Sequence, residues 1–122
     1  MKALLIDPEK KTIEHIEIKT GIRHLESIYE VLDCVMIESP VKYKNGDVLY
    51  CDEDAWVNVS DKPLAGFFFF NWDSPILGKA LVVGKDPVLW HNDCKSTPED
   101  FKGIVWCEDT AMRLYGESRK LI

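Results

Sequence analysis

The sequence predicts an α+β domain, mostly antiparallel β-sheet, with one main helix packed on it after an N-terminal ββ hairpin. Three features carry that expectation. Residues 67–70 are four consecutive phenylalanines, and 80–83 read Ala-Leu-Val-Val between Gly78 and Gly84. A strand sends successive side chains to opposite faces, so unbroken apolar runs require cover on both sides of the sheet. Ile22, Leu25, Ile28, Tyr29 and Leu32 recur at three- and four-residue spacing, the apolar stripe of a helix. Asn45-Gly46 divides two short apolar segments and supplies the positive φ angles of a tight primed turn. The sheet is expected to close as a sandwich or a partly open barrel.

Taken in order, residues 2–7 read as a first strand, 7–11 as a turn and 12–19 as a second strand with Ile16 and Ile18 on one face. The helix follows, with Thr20 as its N-cap. Residues 34–38 are too short and too β-branched for another helix, and 41–44 and 47–51 form the hairpin around Asn45-Gly46. Asp52-Glu53-Asp54 makes an acidic turn before a strand at 56–59. Residues 63–66 lead into the phenylalanine run, the expected centre of the sheet, and 80–83 is a further buried strand. Thr97-Pro98-Glu99-Asp100 has the grammar of a short helix start, with a cap, proline in the first turn and acids beside it. Residues 104–107 look like a last strand and 110–115 like a terminal helix.

At 122 residues and 46% hydrophobic content, one domain spanning 1–122 can fill its own core. The apolar run at the N-terminus is too short for a secretory leader, and no stretch reaches the roughly 20 apolar residues of a membrane span. A cytosolic chain with no membrane partner is therefore expected, and Cys34, Cys51, Cys94 and Cys107 as free, mostly buried thiols. The net charge of −6 is uneven: residues 1–61 hold thirteen acids and seven bases, residues 62–122 eight of each. That first half disfavours direct nucleic-acid binding and suits either plain solubility or a basic partner.

No catalytic or metal motif is complete, and no cofactor is implied. Gly78 to Lys85 fails as a phosphate loop because five residues separate the two glycines where four are needed, and Asp86 replaces the Ser or Thr. His91-Asn92-Asp93-Cys94, with Cys107-Glu108 downstream, offers zinc-type ligands without the paired Cys-x-x-Cys knuckles of a closed site. The three acids 52–54 point different ways along an extended segment and suit a solvated turn. Cys94 beside His91 is the only thiol and imidazole in local reach, while His15 and His24 have no evident partner in the sequence. The tryptophans are more suggestive. Trp56, Trp72 and Trp90 fall at strand ends, either plugging the sheet or forming a stacking rim near lysines. The ligand-binding candidates are Trp72 and Trp90, to stack a base, Lys79 and Lys85, to meet phosphate, and His91.

Together the opening Lys-Ala-Leu-Leu-Ile-Asp, the second strand through Ile18, the helix at 25–32, Asp-Val-Leu-Tyr-Cys-Asp-Glu at 47–53 and Ile76 to Gly84 carry a family likeness. The chain resembles a small domain of unknown function that recurs in bacteriophage and plasmid accessory proteins, some encoded near antirestriction genes. Residues 67–70 and the tail after Asp93 depart from it. The resemblance implies no catalytic residues. It implies a non-enzymatic accessory protein that binds and neutralises a host component, either a host defence protein or a small nucleotide signal. A nucleotide-processing enzyme with His91 as base is the alternative, and a structural or assembly protein of a phage or plasmid the third reading. The phenylalanine run further suggests a homo-oligomer, closed by symmetry.

Overall fold

Alternation of apolar side chains in the first residues builds two antiparallel strands, β1 (Lys2–Asp7) and β2 (Thr12–Glu17), in register from Lys2 opposite Glu17 to Asp7 opposite Thr12. The structure, a computed structural model, describes residues 1–43, 45–55, 65–68, 75–86, 90–109 and 112. The buried Asp7 turns the chain between these strands, its Oδ1 accepting the Glu9 and Lys10 N–H groups at 3.1 and 3.4 Å. A 3-10 turn, Gly21–Arg23, leads into helix α1, His24–Leu32. Further strands are β3 (Ile37–Lys42), β4 (Asp47–Asp52), β5 (Gly66–Phe68), β6 (Ile76–Leu77), β7 (Ala80–Asp86), β8 (Trp90–Asn92) and β9 (Val105–Cys107).

The class is α+β, an open antiparallel sheet with, among the described residues, one α-helix. Among the described residues the main sheet runs β2-β1-β7-β4-β3, with β8 also paired to β7, and a smaller sheet runs β6-β5-β9. β7 is the strand covered on both faces, and Ala80 to Val83 have no exposed surface. Leu81 and Val83 join Ala3, Val48, Tyr50, Ile28 and Leu32 in the core beneath α1. Ala80 and Val82 join Leu4, Ile6, Leu49, Phe67, Ile76 and Phe101 in the core on the opposite face.

The phenylalanine run is therefore not the centre of the main sheet. It enters the smaller sheet, where Phe67 lies opposite Ile76 in β6 and Trp106 in β9. Phe67 is fully buried, Phe68 half-buried, and residues 69–70 lie outside the described residues. Gly78, at φ 84°, then turns the chain out of the smaller sheet and into β7. Two apolar runs that read as one ribbon thus serve different sheets.

Other expectations shift by a few residues. Thr20 precedes the helix with extended backbone, but its side chain makes no cap hydrogen bond, because a 3-10 turn rather than an α-helix follows it. Residues 34–38 and 41–44 do not form separate strands. Ile37–Lys42 is continuous, with a register shift between Glu38 and Val41 around Pro40. The hairpin at Asn45-Gly46 is not a two-residue primed turn: Gly46, at φ 94°, donates its N–H to the Tyr43 carbonyl at 3.1 Å, and the Tyr43 N–H bonds the Asp47 carbonyl at 2.9 Å, so it closes from Tyr43 to Asp47. Asn45 instead uses its side chain, Oδ1 accepting the Asp47 N–H at 2.9 Å and Nδ2 donating to Ser96 Oγ at 3.1 Å.

That turn is anchored by Asp47, 1% exposed. Its carboxylate accepts the Lys95 N–H at 3.0 Å, the Ser96 N–H at 2.7 Å and the Ser96 hydroxyl at 2.6 Å. A buried carboxylate is tolerated only with such compensation. The short helix begun at Thr97 is a 3-10 turn, Pro98–Phe101, whose Asp100 carboxylate accepts the Thr97 N–H at 2.8 Å. The strand expected at 56–59 lies outside the described residues, as does the helix at 110–115 apart from Met112, whose N–H bonds the Glu108 carbonyl at 3.1 Å.

Candidate functional site: a cleft beside a histidine pair

β7 is longer than the stretch β1 covers. β1 pairs with Ala80 to Val82, and β8 occupies the rest of that edge, opposite Gly84 to Asp86. Gly84 suits this crossing because a side chain there would collide with Asn92 Oδ1 and the Asp93 carbonyl. The chain then returns to β1: Asp93 Oδ1 accepts the Lys2 N–H at 2.7 Å, and the Cys94 N–H bonds the Lys2 carbonyl at 2.9 Å. Where β8, the end of β1 and the start of α1 converge there is a cleft of about 790 Å³, lined by Met1, Thr20, Gly21, His24, His91, Asn92 and Asp93.

Register sets what faces the cleft. His91 lies opposite Lys85, two residues beyond Val83, and so takes the face of the sheet that α1 covers. Tyr50 shares that face from β4, and His24 opens the helix above. The three side chains form one chain of hydrogen bonds. Tyr50 Oη lies 2.8 Å from His91 Nε2, His91 Nδ1 lies 3.0 Å from His24 Nε2, and His24 Nδ1 lies 2.8 Å from the Gly21 carbonyl. Both ring nitrogens of both histidines are engaged within the protein.

Burial, with the His24 imidazole and the Lys85 ammonium nearby, pulls the His91 pKa down to about 4. Burial likewise pushes the Tyr50 hydroxyl up. His91 is 5% exposed and uncharged at neutral pH. The unfolded chain, at the ordinary value of 6.5, takes up a proton first as pH falls. Stability from this residue is therefore complete above about pH 6.5 and is lost on the way down to about pH 4. We expect urea denaturation between pH 7.5 and 4.5 to show a loss on the order of 2–3 kcal/mol that His91→Gln does not share. Equal acid sensitivity in both proteins would contradict it.

The five candidate ligand residues do not assemble as a group. Lys85 and His91 face each other in the β7–β8 ladder, and the backbone of Trp90 pairs with Asp86. Lys79 precedes the other end of β7, roughly 20 Å from Lys85 at the rise of an extended strand. Trp72 lies outside the described residues, as does the side chain of Trp90. Neither lysine is among the residues that line the cleft.

Tyr50 and His24 join the site without any local sequence signal, being 41 and 67 residues from His91, whereas Asp93 belongs to the ligand-type cluster at 91–94. The imidazole beside Cys94 is that of His15, at 4.0 Å, rather than His91. The Cys94 thiol is buried, its pKa raised by that burial first and by Asp47 next, which is the wrong direction for a nucleophile. All four cysteines are free. Among the described residues no group of three or more His, Cys, Asp or Glu is arranged to hold a metal ion, and no helix is long and apolar enough to cross a membrane.

No curated protein and no solved structure matches the chain. The strands and helix that build the cleft all fall within the one region where a family does match, residues 1–111, and on that match the chain belongs to DUF3846, a domain of unknown function.

Proposed function

We propose that this is a non-enzymatic accessory protein of the phage or plasmid kind, working in the host cytosol by holding a small ligand of a host defence system. The cleft carries this reading. Its volume of about 790 Å³ falls within the usual span of small-molecule sites. Its two histidines spend their ring nitrogens on Tyr50, on each other and on Gly21, an arrangement that suits a rigid wall better than a proton-transfer group. A nucleotide is the ligand class favoured by the family resemblance; Lys85, exposed and opposite His91 in the β7–β8 ladder, lies outside the lining of the cleft, and Lys79 is farther still along β7.

Phe67 gives no support to the homo-oligomer, since the chain's own Ile76 and Trp106 cover it. Inhibition of a basic host protein remains tied to the acidic first half. The enzyme alternative has one point in its favour, the uncharged His91 imidazole beside a cleft.

The test is to incubate the protein with a small-molecule extract of host cells, desalt it, denature it by heat and identify what is released by mass spectrometry. We expect an unmodified molecule at close to one per chain, absent from Thr20→Trp, which fills the cleft from its rim. Converted product accumulating in solution, and abolished by His91→Ala, would establish the enzyme instead.

A further inference from the structure

The hydrogen bonds of the histidine pair have only one consistent direction when the pair is uncharged. The Gly21 carbonyl can only accept, so His24 Nδ1 carries the proton of that 2.8 Å contact. A neutral imidazole protonated there has a lone pair at Nε2, and His91 Nδ1, 3.0 Å away, must donate to it. His91 Nε2 is then an acceptor, and the Tyr50 hydroxyl donates to it at 2.8 Å. Every link runs the same way, from Tyr50 through His91 and His24 to Gly21.

We infer that the His24–His91 pair is a single-proton switch in the wall of the cleft: uncharged, both rings are Nδ1–H tautomers, and on acidification the folded pair takes up one proton and no second. One added proton is accommodated by reversing two links. His24 Nε2–H donates to His91 Nδ1, and His91 Nε2–H donates to Tyr50 Oη, leaving Gly21 bonded as before. A second proton would set two N–H groups against each other across 3.0 Å, at a residue 5% exposed, which only local unfolding relieves. The low pKa of His91 agrees with this limit.

Among the described residues, these charged groups lie near the pair. Lys85 lies across the β7–β8 ladder from His91, and Asp93 follows two residues on with Oδ1 held by Lys2 N–H. Arg23, beside His24, is turned to Glu26 at 3.7 Å, and the Met1 amino group to the Ile18 carbonyl at 2.9 Å. The switch therefore adds one positive charge to the wall of a cleft that Asp93 and the Met1 amino group also line. Given the binding reading above, an anionic ligand binds with uptake of one proton and more tightly in mild acid.

Imidazole ¹⁵N NMR on the ligand-free protein tests the inference without relying on that reading, which is tested by what the protein releases. At pH 8 both His24 and His91 should show a protonated Nδ1 and a bare Nε2. As the pH falls, the two rings together should gain one proton while the fold persists. An Nε2–H tautomer of either ring at pH 8, or two protons gained by the folded pair, would overturn it.

Discussion

Asp47→Ala should cost about 4–6 kcal/mol of folding stability, enough to leave much of the protein unfolded at 37 °C. The carboxylate is 1% exposed and accepts two backbone N–H groups and a hydroxyl from Lys95 and Ser96. Truncation removes the acceptor and leaves both Ser96 donors buried and the Lys95 N–H partly so. Each orphaned donor costs about 1–3 kcal/mol, more than the mean worth of the bond itself. The damage is not local, because the same carboxylate ties the turn before β4 to a segment nearly fifty residues later. Asp47→Asn should recover only part of the loss, since its amide nitrogen would face donors. Urea midpoints for the three proteins decide the matter, and a midpoint for Asp47→Ala within 0.5 kcal/mol equivalence of wild type would remove Asp47 as the anchor of this region.

Phe67→Ala should cost about 3–5 kcal/mol, the range for emptying a fully buried aromatic site. Phe67 has no exposed surface and packs edge-on against Trp106, ring centroids 6.1 Å apart at 71°. It also links the smaller sheet to Leu4, Ile6, Leu49 and Val82 on the main one. Phe67→Leu keeps most of the volume and should cost less than about 1.5 kcal/mol. Phe68, half-buried, is the contrast: Phe68→Ala should cost clearly less than Phe67→Ala. Equal losses at the two positions would mean that the strand is packed alike on both faces, as the bare run of phenylalanines suggests.

That contrast shows how much of this molecule was legible in its sequence. Period-two alternation and the helical stripe are local signals; they located β1 and β4 to within a residue, but stopped β7 three residues short of Asp86 and began α1 three residues before His24. The run at 67–70 announced burial correctly for Phe67 but not which sheet it enters, because pairing partners lie far along the chain: Phe67 meets Ile76 and Trp106. Asn45-Gly46 marked a turn, yet its geometry was decided by Asp47 and Ser96, which engage the oxygen and the nitrogen of the Asn45 amide together.

The site was less legible still. His91 stood out because it sits in a cluster of ligand-type residues, whereas His24 and Tyr50 looked like ordinary members of a helix and a strand. Only the β7–β8 register and the seating of α1 on the sheet bring the three together. Lys79 and Lys85 looked like neighbours in a short glycine-flanked segment, and an extended strand drives such neighbours apart rather than together.

The break in register at Pro40 has a consequence for how copies of this chain behave when crowded. Among the described residues β3 forms one rim of the main sheet, and an unpaired rim of regular strand is a template on which further chains can add. Proline contributes no amide hydrogen and the shifted backbone throws the remaining groups out of step, so an incoming ribbon finds no continuous row to zip onto. At that rim, a chain rich in benzyl and isobutyl groups carries its own brake on fibre growth.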